Sequence, residues 1–478
     1  MTRTLLSARW VIGHRDGAHV LHENGLVVIE GNRVLHSGTR FEGPVDRRID
    51  YGEAVLCPGF VDLDALSDLD TTILGFDHGP AWKTGRVWPE SYIARGPYEM
   101  YDPEELAFQK RFAFAQLIRN GITTALPIAS LFYREWGETV PEFEAAARAA
   151  EELGLRVYLG PAYRSGGQVT DDQGTIRAVF DEARGLRGLE EAAAFAARIE
   201  GSAQGRIRAM FAPDRIETCT APLLRRTAAI AAEMGAPVRQ HCCQSPVELR
   251  LVQEQHGTSP VDWLARIGAL GATWLLPHGT HATEQDFDRI AEHGATLVHC
   301  PLVSARHGGM LRSFPALRER GIRIGLGTDT WPPDMLLNMQ IGLMTARLSD
   351  GPLALRSGEM LAAATLGGAE ALNRPDLGRL AAGAMADIAV IDLSQTLQTP
   401  DPVQTLMTSA SGRDVRDVWI DGRRVMQDRR IPGFDAADHA RAQAQFDRLV
   451  AKYPDRTAGH QPLSRIFPPS YARSQDHE

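Results

Sequence analysis

Short apolar runs alternate with amphipathic segments along most of the chain, and this rhythm predicts the fold. Eight runs lack the strict alternation of apolar and polar residues seen in half-exposed strands, so we predict strands buried on both faces. Helices are predicted between them, with start signals at Asp102, Ser245 and Thr283. This order over roughly 270 residues indicates an α/β protein with a (β/α)8 TIM barrel. The predicted strands span residues 60–66, 123–128, 156–163, 206–212, 238–243, 274–278, 296–300 and 323–328.

The two ends of the chain carry a different pattern, of short β-rich runs separated by turn signals. We predict that runs from both ends pair into one small composite β-sandwich domain. The rival fold, an open doubly wound sheet, would need a glycine-rich phosphate turn after an early strand, and the sequence has none. The predicted organisation is residues 1–57 and 377–434 for the two parts of the β domain, 58–376 for the barrel, and 435–478 for a C-terminal helix and tail.

Composition narrows the functional classes. Of the 478 residues, 44% are hydrophobic and 23% charged, which is typical of a soluble globular protein. The formal charge of −9 makes nucleic acid an improbable partner. The five cysteines are an odd number in a long chain, which favours reduced thiols and a cytoplasmic location. No apolar run approaches the roughly 20 residues needed to span a bilayer, so we expect no membrane partner.

Polar residues end most of the predicted strands. The carboxyl ends of barrel strands meet at one mouth, where the active sites of this fold lie. Three histidines and several carboxylates at one mouth indicate a divalent metal or a proton-transfer site. The strand-end residues, in chain order, are Asp62 and Asp64, Arg164, Asp214, His241, His278, His299 and Asp329.

Several segments resemble motifs of the amidohydrolase superfamily, in its chlorohydrolase, triazine-hydrolase (ATZ/TRZ) and cytosine-deaminase-like branch. The resemblance covers roughly residues 5–430 in order. It implies the barrel with a composite β domain, and hydrolysis of a non-peptide C–N bond or a C–Cl bond in a small substrate, either cyclic or amide-like, by a metal-activated water. It also implies a homodimer or higher homo-oligomer. The segments are Pro58-Gly59-Phe60-Val61-Asp62, Leu276-Pro277-His278, His299-Cys300-Pro301, Gly325-Leu326-Gly327-Thr328-Asp329 and residues 377–387.

The metal ligands that the resemblance implies are only partly present. The family's His-x-His on the first strand is Asp64-Ala65-Leu66 here, and leucine cannot bind a metal. His241 and Asp329 match, Asp64 is a candidate third ligand, and His278 is a candidate fourth. We therefore expect one divalent metal, Zn or Fe, and no organic cofactor. A lysine-bridged metal pair is improbable because none of the three lysines lies on a predicted strand.

The resemblance also implies roles in catalysis and substrate binding. Asp329 and His278 match catalytic positions. The family's glutamate is Gln244 here, which cannot accept and return a proton. Glu248 is better explained as the glutamate of a helix capping box, and Cys243 as a buried thiol. The substrate-binding candidates are His281, Arg164, His299 and Trp82, the last in a loop after the first strand.

Three functions remain open on the sequence alone. The first is a hydrolase with the rebuilt single-metal site. The second is a metal-free enzyme of altered chemistry that uses His241, His278 and Asp329 for proton transfer. The third is a non-catalytic ligand-binding pseudoenzyme, which Leu66 and Gln244 favour because each removes a functional group.

Overall fold

A computed structural model describes residues 2–79, 87–90, 100–128, 131, 134, 136–171, 174–457 and 459–472. Its centre is a parallel eight-stranded barrel, as predicted, and each strand lies within a few residues of its expected position. Around the barrel the strands run in the order four, three, two, one, eight, seven, six, five, and a bridge from Phe211 to Val238 closes the ring. Strands one to eight are Phe60–Leu66, Ile122–Ile128, Arg156–Leu159, Ile207–Ala209, Val238–Arg239, Trp274–Pro277, Thr296–His299 and Arg323–Leu326.

Helices follow the barrel strands and cover their outer faces. Asp102 caps the first long helix in a capping box with Glu105, and Thr283 forms another with Asp286, as their sequences predict. The α-helices of the barrel are Pro103–Arg119, Val140–Leu153, Glu182–Ile199, Ser202–Gly205, Ala221–Met234, Pro246–His256, Pro260–Arg266, Glu284–His293, Pro301–Arg306, Phe314–Glu319, Met335–Asp350, Ser357–Ala362 and Gly368–Ala371. Single turns of other helix types span Asp70–Gly75, Ile216–Thr218 and Ala363–Gly367.

Strands from both chain ends form the composite β domain. They make one continuous sheet that rolls around its own core, since Val34 near one edge and Trp419 near the other belong to the same buried cluster. In sheet order the strands are Arg423–Met426, Val415–Ile420, Ile388–Asp392, Ala54–Pro58, Arg3–Arg15, Ala18–Glu30 and Arg33–Gly38, and Arg47–Asp50 pairs with Arg3–Arg15.

Buried ion pairs fasten the β domain to the barrel. Arg156, the first residue of the third barrel strand, donates to both carboxylate oxygens of Asp387 at 3.2 Å. Arg206 donates to Asp421 at 3.0 Å, and both pairs are almost completely buried. The side of the barrel opposite the mouth is therefore tied to the domain built from the chain ends.

A small sheet at the barrel mouth is not foreseen by the sequence pattern. Gly166–Thr170 and Ile176–Phe180 form a hairpin after the third barrel strand, and Trp88–Pro89 adds to its edge. Ala162–Tyr163 pairs with Ala212–Pro213 beneath it. These strands place extra backbone over the mouth and form part of its wall.

The chain ends with the helix Ala436–Arg456, which packs against the first long helix through ion pairs such as Arg448 to Glu105. Pro402–Ser409 and Leu463–Ile466 are short helices, and Gly412–Asp414 is a single 3₁₀ turn. Within the described residues, no helix combines the length and apolar character needed to cross a membrane.

Candidate metal centre

Four of the predicted side chains converge at the barrel mouth. Asp64 lies on the first strand, His241 and His278 follow the fifth and sixth strands, and Asp329 follows the eighth. One ligand atom from each lies within 4.8 Å of the others, and all four residues are buried. The topology brings together residues up to 265 positions apart because neighbouring parallel strands end at the same edge.

The spacing of three donors fits a shared cation. His241 Nε2 lies 3.6 Å from Asp64 Oδ2 and 3.9 Å from Asp329 Oδ1, too far for hydrogen bonds. Two ligands each about 2.1 Å from one tetrahedral zinc ion are separated by roughly 3.4 Å. Three protein ligands and a free position are typical of catalytic zinc sites. The residues present therefore fit a single divalent metal.

His278 stands beside these three donors. Its ring stacks on that of His241, with the centroids 5.2 Å apart. Both of its ring nitrogens are buried and lack a hydrogen-bond partner among the described residues. A buried imidazole without a partner is costly, so its N–H is available to a ligand in the mouth.

Burial keeps both imidazoles neutral. Desolvation lowers the pKa of His241 well below its ordinary value, and the nearby guanidinium groups of Arg239 and Arg215 lower it further. Desolvation also lowers the pKa of His278 well below the ordinary value, although Asp329 opposes the shift. Histidine binds metals in its neutral form, so both rings are ready to act without releasing a proton.

Asp64 is held by a partner that the sequence reasoning missed. Arg239 Nη1 donates to Asp64 Oδ1 at 2.6 Å, and both side chains are buried. Burial and the charge of Asp329 raise the pKa of Asp64 well above its ordinary value, and Arg239 opposes the shift. Arg239 precedes His241 by two positions, so strand alternation could have placed both on the inner face.

The strand ends adopt an unusual backbone. His278 and Asp329 have positive φ angles of 83° and 53°, a region that residues with a side chain rarely occupy. The Asp329 amide donates to the Asp64 carbonyl at 2.8 Å, which joins the first and eighth strands at the centre. Asp62 below accepts from the Thr328 hydroxyl at 2.6 Å. These bonds hold the carboxylates of Asp64 and Asp329 on adjoining strand ends.

His241 and Asp329 line a concave cavity at the barrel mouth, the kind of site in which small molecules bind. Its wall is apolar on one side, with Trp88, Trp136 and Leu74, and polar around the metal centre. The Arg164 guanidinium lies over the Trp136 ring and 3.6 Å from Asp214. The polar wall residues include Arg164, Gln168, Asp214, Arg215, His241, Gln244 and Asp329.

Gln244 lines this cavity and is fixed by its neighbours. Its side-chain oxygen accepts from Arg215, which also donates to Glu217 at 3.2 Å. Its backbone amide donates to Glu248 at 2.8 Å. Only half of the predicted capping box forms. The Ser245 hydroxyl accepts from the Glu248 amide at 3.2 Å, but the Glu248 carboxylate accepts from the amides of Cys243 and Gln244 instead of that of Ser245. Burial raises the pKa of Glu248 to about 8.

The remaining predicted residues lie in different places. Arg164 is in the cavity wall, whereas His281 and His299 are not among the described residues that form it. His299 is buried against Phe314, and burial lowers its pKa to about 3. Trp82 lies outside the described residues.

Of the lysines, Lys110 is buried on a helix and bonded to Glu138 and Ser67, and Lys452 bonds to the Met100 carbonyl.

Comparison with known families supports the resemblance noted above. Residues 56–425 match the amidohydrolase family. The chain belongs to the amidohydrolase family. That match covers the whole barrel together with strands of the β domain on both sides, so it includes the metal centre and the fold around it.

Curated members of the family are similar over most of their length. The 5-methylthioadenosine/S-adenosylhomocysteine deaminase of Pelotomaculum thermopropionicum is 29% identical over 449 residues, covering 91% of this chain and 96% of the relative. The 5'-deoxyadenosine deaminase of Methanosarcina mazei is 27% identical over 441 residues, covering 90% and 94%.

Solved structures of other proteins share the fold. An adenosine deaminase from Xanthomonas campestris with bound zinc has a TM-score of 0.77 at 22% identity, covering 94% of this chain and 99% of that chain. Atrazine chlorohydrolase from Arthrobacter aurescens complexed with zinc has a TM-score of 0.74 at 20% identity, covering 92% and 99%.

Proposed function

We propose that this protein is a metal-dependent hydrolase that cleaves a non-peptide C–N bond in a small, cyclic substrate and releases an amine or ammonia. The observation that carries the proposal is the group of Asp64, His241, His278 and Asp329, whose ligand atoms all lie within 4.8 Å of one another. The curated relatives, which are named as deaminases, favour a C–N bond over a C–Cl bond.

In this proposal Asp64, His241 and Asp329 hold one divalent metal. Such a cation lowers the pKa of a coordinated water into the neutral range. Zinc or iron is compatible with one imidazole and two carboxylate ligands. Gln244 lies in the wall of the cavity that His241 and Asp329 also line, so a substrate bound there would reach these residues from the mouth.

The protein's own groups would move the proton and stabilise the developing charge. The free oxygen of Asp329 takes the proton from the attacking water and returns it to the leaving nitrogen. The neutral His278 donates its ring N–H to the oxyanion that forms at the attacked carbon. Gln244, anchored by Arg215, donates its amide N–H to a ring nitrogen or carbonyl of the substrate and orients it.

Metal analysis and a substrate panel test this proposal together. The protein is purified with added Zn²⁺ or Fe²⁺, its metal content is measured, and ammonia release is followed with aminopurines, aminopyrimidines, aminotriazines and their nucleosides. We expect about one equivalent of metal and turnover that chelation removes and Zn²⁺ restores. Less than about 0.1 equivalent of metal after supplementation would contradict the metal site.

Leu66 and Gln244 support a second candidate, a ligand-binding protein that has lost turnover. Its signature is thermal stabilisation by members of the same panel without ammonia release from any of them. The two candidates therefore differ in one measurement, the product formed under conditions where binding is saturated.

We further propose that the protein forms a homodimer or larger homo-oligomer. Three large apolar side chains are strongly exposed on one helix and the loop after it: Met344 at 58%, Leu348 at 80% and Leu353 at 91%. Apolar patches of this kind mark protein interfaces. Light scattering measures the mass of the protein in solution, and we expect Leu348→Glu to shift it toward a monomer. A monomeric unmodified protein would contradict the proposal.

A further inference from the structure

The fifth barrel strand places the positive charge of Arg239 beside the candidate metal centre. Its side chain is buried, and it is the last residue of the fifth barrel strand, two positions before His241. Its Nη1 donates to Asp64 Oδ1 at 2.6 Å, and its Nε has no hydrogen-bond partner among the described residues. A buried arginine of this kind needs a specific counter-charge.

Asp64 and Arg239 balance each other in charge. The resemblance to the family places a neutral histidine at position 64, so an aspartate adds one negative charge to the centre. Two carboxylates, Asp64 and Asp329, would then lie on either side of His241 in a largely buried region. The guanidinium of Arg239 restores the charge that a histidine ligand would give.

The same bond decides which oxygen of Asp64 faces the metal position. Oδ1 is occupied by Arg239, whereas Oδ2 lies 3.6 Å from His241 Nε2 and 3.6 Å from the Cys300 thiol. Asp64 therefore presents one oxygen, as a histidine presents one nitrogen.

We propose that Arg239 is a positioning residue for the metal centre, which converts Asp64 into a one-oxygen, charge-compensated replacement for a histidine ligand. The inference rests on the proposed function, because it assumes that a metal binds. It also explains how a chain without the His-x-His motif can keep a metal centre of ordinary charge. The two changes act as one unit, so the effect of altering one of them on zinc binding depends on whether the other is present.

A double-mutant cycle tests the coupling, with Zn²⁺ as the probe. Asp64→His, Arg239→Met and the double variant are compared with the unmodified protein by zinc titration and by the thermal shift that zinc produces. Asp64→His leaves Arg239 unpaired beside the metal, so we expect the zinc Kd to rise at least tenfold. The double variant should return to within about threefold of the unmodified protein.

The single arginine variants separate charge from structure. Arg239→Met leaves two carboxylates unopposed, so the metal-free protein should lose stability and zinc should raise its Tm by more than in the unmodified protein. Arg239→Lys keeps a positive charge, so its zinc-induced rise in Tm should lie between those of Arg239→Met and the unmodified protein. Arg156→Met is the matched control, because it removes another buried strand arginine at the far side of the barrel and should leave the zinc shift unchanged.

The outcomes distinguish the inference from the proposed function. If the unmodified protein binds no zinc, the metal-dependent function is wrong, and so is this role of Arg239. If the unmodified protein binds zinc but the effects of Asp64→His and Arg239→Met simply add, only the inference about Arg239 is overturned. An equal zinc shift in Arg239→Met and the unmodified protein would overturn it as well.

Discussion

Among single residues, His278 gives the sharpest separation of metal binding from chemistry. Its ring lies in one group with Asp64, His241 and Asp329, and neither of its ring nitrogens has a hydrogen-bond partner among the described residues. We expect His278→Ala to keep about one equivalent of zinc and to lower kcat by roughly 10²–10³-fold, the usual cost of losing an oxyanion donor. Metal analysis and steady-state kinetics on the same sample check both parts.

The control for His278→Ala is a substitution of a histidine that does not line the cavity. His293 ends a helix and bonds to the carbonyl of Arg289, so His293→Ala should leave zinc content and kcat unchanged. If His278→Ala instead lost its zinc, the side chain would be a fourth ligand, and the assignment of an oxyanion donor would be wrong.

Gln244 makes a second prediction at the same scale. Gln244→Glu changes one atom of the side chain, keeps the bond from Arg215 and supplies a carboxylate that can carry a proton. We therefore expect kcat to rise at least tenfold where proton transfer limits the rate. The kinetics of an active substrate from the panel measure it, with zinc content as the control. An unchanged or lower kcat in a variant with its full zinc content would show that Asp329 transfers the proton without a second carboxylate.

Between elements, the close contact of the first and eighth strands sets the geometry of the centre. A Cβ atom on Gly327 would lie 2.6 Å from Asp64 Cβ and 3.0 Å from the Cys300 sulfur, so Asp64 would have to move. We expect Gly327→Ala to weaken zinc binding by about 10–100-fold, as displaced supports of metal ligands do. Gly358→Ala, where a Cβ meets nothing within 4 Å, should leave the zinc Kd unchanged.

The strands of the barrel could be predicted because burial on both faces leaves a direct trace in the sequence. Runs such as 274–278 are continuously apolar up to a polar end, and that end is where the fold places its chemistry. His241, His278 and Asp329 therefore came from element order and position alone. Their side chains converge with that of Asp64 because the strands of a closed barrel all end at one mouth, so no additional sequence motif is needed to predict the convergence.

Contacts that depend on side-chain direction could not be predicted in the same way. Arg239 lies within a short buried strand, and its sequence neighbours do not indicate Asp64, 175 positions earlier, as its partner. The hairpin of Gly166–Thr170 and Ile176–Phe180 was not predicted, and its first strand begins with two glycines, which weaken the sequence signal for a strand. Glu248 shows where a capping rule read from neighbouring residues fails. Its carboxylate accepts from the amides of Cys243 and Gln244 at the end of the strand, and not from the amide at the start of its own helix.

For the whole molecule, the decisive feature is that the β domain closes only when both chain ends are in place. Arg156 donates twice to Asp387, and the Asp421 amide donates to the same carboxylate at 2.7 Å, so one buried group joins the third barrel strand to the C-terminal β strands. We therefore expect barrel and β domain to unfold in a single transition. Removing one partner leaves a buried charge unpaired, which costs about 3–5 kcal/mol.

Asp387→Asn tests this coupling because it keeps the shape of the side chain and removes its charge. The variant should unfold in one transition at a lower denaturant midpoint, with circular dichroism and tryptophan fluorescence coinciding. The zinc Kd should stay unchanged in the folded state, since Asp387 lies at the end of the barrel opposite the metal centre. Two separate transitions would instead mean that the barrel folds without the β domain, and the ion pair would then join two independent units.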